Sequence, residues 1–344
     1  MKIAKSMVDI ANIAGVSVMT VHRAIHNHPG INPHTRTRIL EIASEFNYRP
    51  NAFARAVRKG KFASIGLATG YASIEIAVIV GIFRVLNAEG ISLAFAELPD
   101  NKEEGKDIHL PKFFTENMID GVIIHSAIEK KVLLKNWLSS SQIPYVYIIK
   151  QAKFNCVYPD YSSILPSSLD ALVMSGYRKI VYIGPVEAPI YHHSYFPHML
   201  FKNWKPADGI SKEIIATDIS IPQKKWREKV ADLLGREKKR IAFLAGFEEA
   251  RACHSIASSI GRGIPFDTGI LCIGTRRNHT DTGHLLSGLI YSNYELGDAS
   301  AKMILEKISR GRVNVPSVKL PFKKVDGDTL SPDFFLYLNQ KKRG

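Results

Sequence analysis

The side chains best suited to chemistry are concentrated in one stretch near the start of the chain, GVSVMTVHRAIHNHPGINPHTR (Gly15–Arg36). It contains two arginines and four histidines but no carboxylate. Guanidinium and imidazole groups donate hydrogen bonds to phosphates and to the edges of bases. Val18 and Met19 stand beside them, at what the spacing predicts is the exposed start of a helix. The stretch therefore poses a choice between a core helix and a contact surface.

A second group of histidines, His192, His193 and His198, invites comparison with a metal site. Adjacent histidines rarely reach the same ion, and no cysteine or carboxylate cluster accompanies these three, so we expect no metal. The chain also lacks a nucleophile elbow, a P-loop, an HExxH motif and a GxGxxG turn after a strand. The sequence therefore predicts neither an enzyme nor a bound cofactor.

Positive charge is concentrated at the start of the chain. The 344 residues carry a formal charge of +14. Residues 1–61 hold ten lysines and arginines against three acidic residues, which is +7, or half of the total. A basic module of this kind favours a polyanionic partner, of which nucleic acid is the commonest. The alternative is a basic surface that only keeps the protein in solution.

The cysteines and the apolar segments indicate the compartment. Cys156, Cys253 and Cys272 lie far apart and show no metal or redox spacing, which fits a reducing environment. The first fifteen residues lack the continuous apolar segment of a signal peptide, and no run of about 18 apolar residues follows. We expect a cytoplasmic protein without a membrane partner.

The first fifty residues predict three short helices. A glycine stops the first, a serine caps the second, and an asparagine followed by proline begins the third. In order, the helices are predicted over 7–14, 18–25 and 33–46, with Gly15, Ser17, Asn32 and Pro33 as the end residues. The apolar residues expected to pack them together are Val8, Ile10, Ala11, Ile13, Ala14, Val21, Ala24, Ile25, Ile39, Leu40, Ile42, Ala43 and Phe46.

From Ser64 onward, segments typical of strands alternate with amphipathic segments. SIGLA, ISLAFAEL, DGVIIHSA and IPYVYII predict four strands, and KIVYIGP begins the pattern again. Alternation of this kind predicts parallel sheets with right-handed crossovers. About ten units are too many for one small sheet, so we expect two doubly wound lobes. A ligand would then bind between them, at the carboxyl ends of strands.

The segment VDIANIAGVSVMTVHRAIHNHPGINPHTRTRILEIASEFNYRPNAFARAVRKG resembles the DNA-binding region of the LacI/GalR (lactose/galactose repressor) family. SGYRKIVYIGP, GIPFDTGILCIG and LGDASAKMILEKISRG are similar to motifs of the family's core. The resemblance implies a helix-turn-helix headpiece over 1–50, a hinge over 51–62 and a two-lobe core like that of periplasmic binding proteins over 63–344. It also implies crossings between the lobes near 160 and 290. Members are homodimers or tetramers, and the lack of a leucine-rich tail favours a homodimer.

The resemblance assigns base reading to Val18, Met19 and Arg23 on a helix that enters the major groove. Arginine can form two hydrogen bonds with guanine, whereas valine and methionine can only touch thymine methyls or sense shape. Packing in the core is the alternative for Val18 and Met19. The remaining DNA contacts are expected from Ser17, Thr20, His22, His26, Asn27, Asn32, Thr35, Arg36 and Tyr48.

A short helix is predicted over residues 51–58, where the family places its hinge. Paired hinge helices wedge apolar side chains into a central base step of the minor groove. Asn51, Ala54, Arg55 and Val57 match the pattern, except that valine stands where leucine is usual. A shallower wedge is one interpretation, and an ordinary linker is the other.

The family's effector signals are altered in the core. Phe247 replaces a carboxylate, Arg276 and Arg277 replace two acids, and His192 or His193 lies near the position of a ligand-clamping arginine. Arginine pairs well with phosphate and carboxylate, which points to a sugar phosphate or sugar acid. Solvated arginines in a cleft that has lost its effector, or a neutral ligand held differently, are the alternatives. Cleft positions are also expected for Tyr71, Ser73, His125, Asp160 and Asn293.

Together these observations predict a repressor of metabolic genes that binds a near-palindromic double-stranded DNA operator under the control of a small molecule. A solute-binding protein without a DNA role is the rival hypothesis. The missing signal peptide and the basic headpiece argue against that rival.

Overall fold

The computed structural model describes residues 6–48, 61–70, 74–98, 110–116, 118–125, 132–186, 195–218, 220–275, 280, 283–311 and 314–340. The chain divides into two compact units, Met1–Phe62 and Ala63–Gly344. Within the described part, no helix is both long and apolar enough to cross a membrane. The predicted sites at Asn51, Ala54, Arg55, Val57, Tyr71, Ser73, His192, His193, Arg276 and Arg277 lie outside the described residues.

The first unit contains the three predicted helices, α1 (Met7–Ala14), α2 (Val18–Ile25) and α3 (Pro33–Glu45). The predicted end residues act as expected. Gly15 adopts a left-handed conformation with φ 64°, the Ser17 hydroxyl accepts a hydrogen bond from the Thr20 amide at 3.1 Å, and the Asn32 side chain caps α3. Local sequence is sufficient here because each cap satisfies backbone groups that its own helix leaves free.

Seven of the thirteen predicted apolar residues of this unit are buried, three are half-buried and three are exposed. Ile10, Val21 and Ile39 have no exposed surface, whereas Val8, Ile13 and Leu40 are 52%, 45% and 44% exposed. Each helix contributes a narrow buried arc, and successive residues are rotated by about 100° around a helix. The three exposed side chains lie just outside those arcs, so their prediction as core residues was wrong.

The second unit is built from two six-stranded sheets, each within its own lobe. Lobe 1 has the strand order β11-β5-β4-β3-β1-β2, and its described pairs are parallel. Its elements are β1 (Ser64–Gly70), α4 (Ile76–Ala88), β2 (Ser92–Leu98), α5 (Lys112–Thr115), β3 (Gly121–His125), α6 (Val132–Ser141), β4 (Tyr145–Ile148), β5 (Cys156–Pro159), α11 (Asn293–Ser309) and β11 (Val318–Leu320).

Lobe 2 has the order β12-β10-β9-β8-β6-β7, parallel except for the antiparallel β10–β12 pair. Its central strand β8 is buried along its whole length, as expected for a parallel sheet covered on both faces. Its elements are α7 (Tyr161–Met174), β6 (Lys179–Gly184), α8 (Tyr195–Asn203), β7 (Ser211–Ala216), α9 (Gln223–Arg236), β8 (Ile241–Ala245), α10 (Phe247–Ser259), β9 (Thr268–Gly274), β10 (Gly288–Ile290), β12 (Lys323–Val325) and α12 (Asp333–Gln340).

The chain passes between the lobes three times, after β5, after β10 and between β11 and β12. Strand β10 has only three residues. It ends at Ile290 because the Ser292 hydroxyl accepts a hydrogen bond from the Glu295 amide and so caps α11. Sequence analysis also missed the short strands β5, β11 and β12 and the helix α12.

Two glycines bring α4 and α11 of lobe 1 into backbone contact. A Cβ atom built on Gly81 would lie 2.9 Å from the amide nitrogen of Asp298, and one on Gly297 would lie 3.0 Å from that of Ile82. Val78, Ile82 and Leu86 of α4 are buried at this contact. The two helices therefore form one tightly packed layer on the lobe 1 sheet.

Candidate nucleic-acid interface and ligand cavity

Helix α2 separates a buried side from an exposed one. Val21 and Ala24 are buried against α1 and α3, whereas Val18 and Met19 are 40% and 63% exposed. The Ser17 side chain caps the end of α2 at which these two side chains stand. Two apolar side chains at an exposed helix start are therefore available to a partner, which favours the contact interpretation over the core interpretation.

Three histidines lie together at the other end of α2. The ring centroids of His22 and His26 are 4.6 Å apart, those of His22 and His28 are 5.9 Å apart and nearly parallel, and those of His26 and His28 are 6.4 Å apart. His22 and His26 are half-buried and His28 is exposed. Spacing of four residues along a helix places the first two on one face.

Arg36 holds the segment after α2 in place. Its guanidinium donates hydrogen bonds to the side-chain oxygen of Asn27 and to the carbonyl oxygens of Ala24 and His28. Asn27 itself has a left-handed backbone, with φ 54°. Arg36 and Asn27 were predicted as DNA contacts, and this internal role was not predicted because the contact joins α3 to a loop nine residues earlier in the chain.

The other predicted DNA contacts are distributed over the surface of the unit. The Arg23 side chain is exposed and makes no hydrogen bond or ion pair within the described residues. Thr20 and Thr35 are half-buried, and the Asn32 side chain accepts a hydrogen bond from the His34 amide at 2.9 Å. Tyr48 is half-buried and packs against the helical core. Arg23 thus has its guanidinium free for an external partner.

In the core, a cavity of about 460 Å³ lies between the lobes. It includes Asn293, one of the predicted effector residues, and side chains of opposite charge, Glu75 and Lys323. The second and third crossings between lobes form much of its wall. The lining residues are Glu75, Ala77, Thr275, Ile290, Tyr291, Ser292, Asn293, Tyr294, Lys323 and Val325.

Three other predicted effector residues do not line this cavity. His125 ends β3 and is buried, and Asp160 follows β5 and accepts a hydrogen bond from the Ser162 hydroxyl at 2.7 Å. Phe247 begins α10, with the Arg251 guanidinium 5.6 Å from its ring centre. All three stand next to the carboxyl ends of strands, as the fold requires, but at other points along the two sheet edges.

Two carboxylates that sequence analysis overlooked lie at the carboxyl edge of the lobe 2 sheet. Asp218 accepts a hydrogen bond from the Val186 amide at 3.0 Å, and Glu249 accepts one from the Thr217 hydroxyl at 3.1 Å. Burial, Glu249 and Asp218 together raise the pKa of Tyr182 well above its usual range. The family resemblance pointed to acids at other positions, whereas Asp218 lies just after β7 and Glu249 lies in the first turn of α10.

His198 adjoins the same edge, with its ring centre 5.8 Å from that of Tyr182. Its side chain is buried, and its Nδ1 atom has no hydrogen-bond partner among the residues that the structure describes. Burial and the nearby Lys202 lower the pKa of His198, while Asp218 opposes them. Burial thus favours the neutral form of the imidazole.

The described residues show no arrangement for metal or thiol chemistry. They bring no three potential metal-ligating side chains together. The three cysteines are unpaired and buried, and burial raises the pKa of the Cys272 thiol to about 12. A thiol with so high a pKa is a poor nucleophile at neutral pH.

A helix-turn-helix unit with an exposed reading face, on a chain whose second unit is a two-lobe α/β core, defines a DNA-binding transcription regulator. Residues 6–51 match the family model described as bacterial regulatory proteins, lacI family. Over these residues the chain therefore carries a DNA-binding domain of the lacI type.

Similarity to individual proteins extends over nearly the whole chain. This chain is 25% identical over 330 residues to catabolite control protein A of Priestia megaterium, and the match covers 92% of this chain and 96% of the relative. The headpiece is 48% identical over 59 residues to the probable HTH-type transcriptional repressor ExuR of Bacillus subtilis, which is 17% of this chain and 18% of that protein.

The fold is that of the lac repressor. The crystal structure of the lac repressor dimer bound to operator and the anti-inducer ONPF superposes with a TM-score of 0.72, covering 96% of this chain and all of the other at 17% identity. The predicted fold class, a helical headpiece with a two-lobe parallel-sheet core, is confirmed.

Proposed function

We propose that this regulator is a repressor that binds a near-palindromic operator as a homodimer and responds to a small molecule bound between its core lobes. The outward face of α2 carries the proposal. Val18, Met19 and Arg23 are exposed there while Val21 and Ala24 fill the core. Each half-site of the operator would receive one copy of α2.

The chemistry of α2 suggests how the half-site is read. Val18 and Met19 would contact thymine methyls, and Arg23 would donate two hydrogen bonds to one guanine. An operator selected from a random duplex library by the full-length protein, followed by gel shifts at rising salt, tests this role. Arg23→Lys should relax the preference at one base pair, at a cost of about 1–3 kcal/mol. No specific complex at any salt concentration would reject the regulator hypothesis.

The hinge proposal concerns Asn51, Ala54, Arg55 and Val57, which match the family's hinge in sequence. Paired hinge helices would enter the central minor groove and wedge Val57 into a base step. Val57→Gly should weaken binding to the selected operator while leaving the weak affinity for random DNA intact. Equal operator affinity for wild type and the Val57→Gly variant would show that the segment is only a linker.

An exposed apolar stripe on α4 supports the homodimer. Ile76, Val80 and Phe83 are 76%, 48% and 53% exposed, and their spacing of four and three residues aligns them on one face. The opposite side of α4 packs closely on α11, so the stripe is rigidly presented. Phe95, on the edge strand β2, is also 48% exposed. A second copy of the chain, with the same stripe, is the partner we propose for it.

Sedimentation velocity tests this interface. Phe83→Asp should convert the protein to monomers and weaken operator binding, because each operator half-site needs one copy. Leu336→Asp is the matched control, since Leu336 on α12 is 61% exposed and lies outside the stripe. A dimer that persists in the Phe83 variant, or is lost in the Leu336 variant, would contradict the assignment.

The cavity between the lobes supports an effector that carries both hydroxyl and anionic groups. Glu75 can accept hydrogen bonds from hydroxyls, and Lys323 supplies a positive charge. Thr275 lines the cavity, and Arg276 and Arg277 are the next two residues of the chain. A sugar phosphate or sugar acid has this combination of groups.

Calorimetry with phosphorylated, acidic and neutral sugars tests the ligand class. The anionic ligand should lose at least tenfold in affinity for the Arg276→Ala/Arg277→Ala variant. Unchanged binding in that variant would overturn the proposal of an anionic effector. Binding of neutral sugars alone would show instead that the effector is a neutral sugar. No binding of any of them would favour a regulator that has lost its effector.

Helix α4 offers a route by which the cavity could influence DNA binding. Its start contributes Ala77 to the cavity, with Glu75 just before it, and the same helix carries the apolar stripe. A ligand that favours one position of α4 would therefore shift the interface between two copies, which couples two distinct sites.

A further inference from the structure

The three clustered histidines of the headpiece lie at the surface proposed to meet DNA. Val18, His22 and His26 follow one another at intervals of four residues along the outer side of α2. His28 stacks on His22 in the loop that follows, with their ring planes 15° apart. The cluster therefore continues the reading face toward the end of the helix, where a DNA backbone would pass.

The described headpiece carries little other positive charge. Residues 6–48 contain three arginines, Arg23, Arg36 and Arg38, and three carboxylates, Asp9, Glu41 and Glu45. Their formal charge is therefore zero when the histidines are neutral. The remaining basic residues of 1–61 are in the segments before and after these helices. Protonation of the histidines is thus the main way for the folded helices to gain positive charge.

Among the described residues, each helix of the headpiece places charged groups near the cluster. From α3, Arg36 contacts the segment through the His28 carbonyl oxygen, and His34 lies at the start of that helix. Glu41 and Glu45 are exposed and follow Arg36 by about 7 and 13 Å along the helix axis. From α1, Asp9 is hydrogen-bonded to Ser6 in the helix cap. On α2 itself, Arg23 is the exposed cation beside the cluster.

We propose that DNA binding by this headpiece takes up protons on His22, His26 and His28. The proposal rests on the α2 reading surface described above. A protonated imidazole donates from both ring nitrogens and can pair with phosphate oxygens, whereas a neutral ring has one donor. Nearby phosphates favour the charged form. Histidine is also the side chain that ordinarily changes charge between about pH 5 and 8.

The consequence is an operator affinity that rises as pH falls. Each proton taken up on binding changes affinity by about tenfold per pH unit within the titration range. Uptake of about one proton in all therefore predicts roughly tenfold to a hundredfold weaker binding at pH 8 than at pH 6. The salt dependence should also be steeper at pH 6, because more phosphates are neutralised there.

The experiment measures binding of the full-length protein to the selected duplex by fluorescence anisotropy. The pH runs from 5.5 to 8.5 at constant ionic strength, with EDTA present to exclude metal effects. The triple variant His22→Gln/His26→Gln/His28→Gln should lose the pH dependence to within threefold. His34→Gln is the matched control, because His34 is exposed on α3 outside the cluster, and it should behave as wild type.

Single variants keep the test decisive if the triple variant melts early in circular dichroism. His22→Gln and His28→Gln should each remove part of the pH dependence. Affinity that changes less than threefold with pH in wild type, or a triple variant with the wild-type profile, would overturn proton uptake while leaving the DNA surface intact. No complex at any pH would overturn the reading surface, and proton uptake with it.

Discussion

Substituting Gly81 by alanine tests how lobe 1 is held together. A Cβ at this position would lie 2.9 Å from the Asp298 amide nitrogen and closer still to the Tyr294 carbonyl oxygen. Both atoms belong to the backbone of α11, so neither can rotate away as a flexible side chain would. Because ordinary contact begins at 3.4 Å, the helices must separate by more than about half an ångström.

The magnitude is a balance of two effects. Overpacking of a core costs about 1–3 kcal/mol, and a contact with backbone on both sides belongs at the upper end. Replacing a glycine in a helix by alanine stabilises by about 1 kcal/mol. The net expectation is a loss of about 2 kcal/mol, or roughly 4–8 °C in melting temperature.

Thermal unfolding of wild type and two variants measures this loss. Gly235→Ala is the control, because its Cβ would meet no atom within 4 Å near the end of helix α9, so only the helix preference acts. That variant should be as stable as wild type or up to about 1 kcal/mol more stable. A Gly81→Ala protein at least as stable as wild type would refute the backbone contact between α4 and α11.

Three further predictions concern single side chains. Arg36→Ala should destabilise the headpiece by about 1–2 kcal/mol because its hydrogen bonds are lost. The slope of log operator affinity against log salt concentration should stay unchanged. A slope smaller by about one per headpiece would instead indicate that Arg36 contacts a phosphate. Because burial lowers the pKa of His198, the unfolded chain binds more protons as pH falls below about 6.5, so wild type should lose stability there relative to His198→Leu. The same pH dependence of the free energy of unfolding in both proteins, measured by urea titration at each pH, would contradict this. Lys307 is 5% exposed, its ammonium lies against the Tyr145 ring, and burial lowers its pKa. Lys307→Met should therefore stabilise the protein by about 1 kcal/mol at pH 7, and this gain should shrink as pH rises toward 10.5. A less stable variant would show that contacts of the ammonium in the folded protein offset the cost of burying it.

The headpiece could be predicted closely because its signals are local. Gly15, Ser17 and Asn32 each act on a backbone group within four residues, so the three helices begin and end close to where the sequence indicates. The predictions failed where burial depends on a neighbouring helix. Ile13 and Leu40 fit an apolar pattern, yet each lies just outside the arc that its partners cover.

The core shows the same division at a larger scale. Apolar strands such as β3 and β6 were predicted because a buried parallel strand is apolar along most of its length. The three-residue strands β11 and β12 were missed because so short a segment has no periodicity of its own. Their pairing depends on strands more than thirty residues away in sequence.

By itself, the sequence determined the class of fold, the three helices of the headpiece and the apolar, exposed start of α2. These follow from caps, periodicity and composition, which act over a few residues. Only the tertiary structure decided that Arg36 binds the loop after α2, that His22, His26 and His28 lie within 6.4 Å of one another, and that Asp218 and Glu249 reach the lobe 2 edge. These contacts join side chains from different elements. The distances between the side chains are set by the packing of whole helices and sheets.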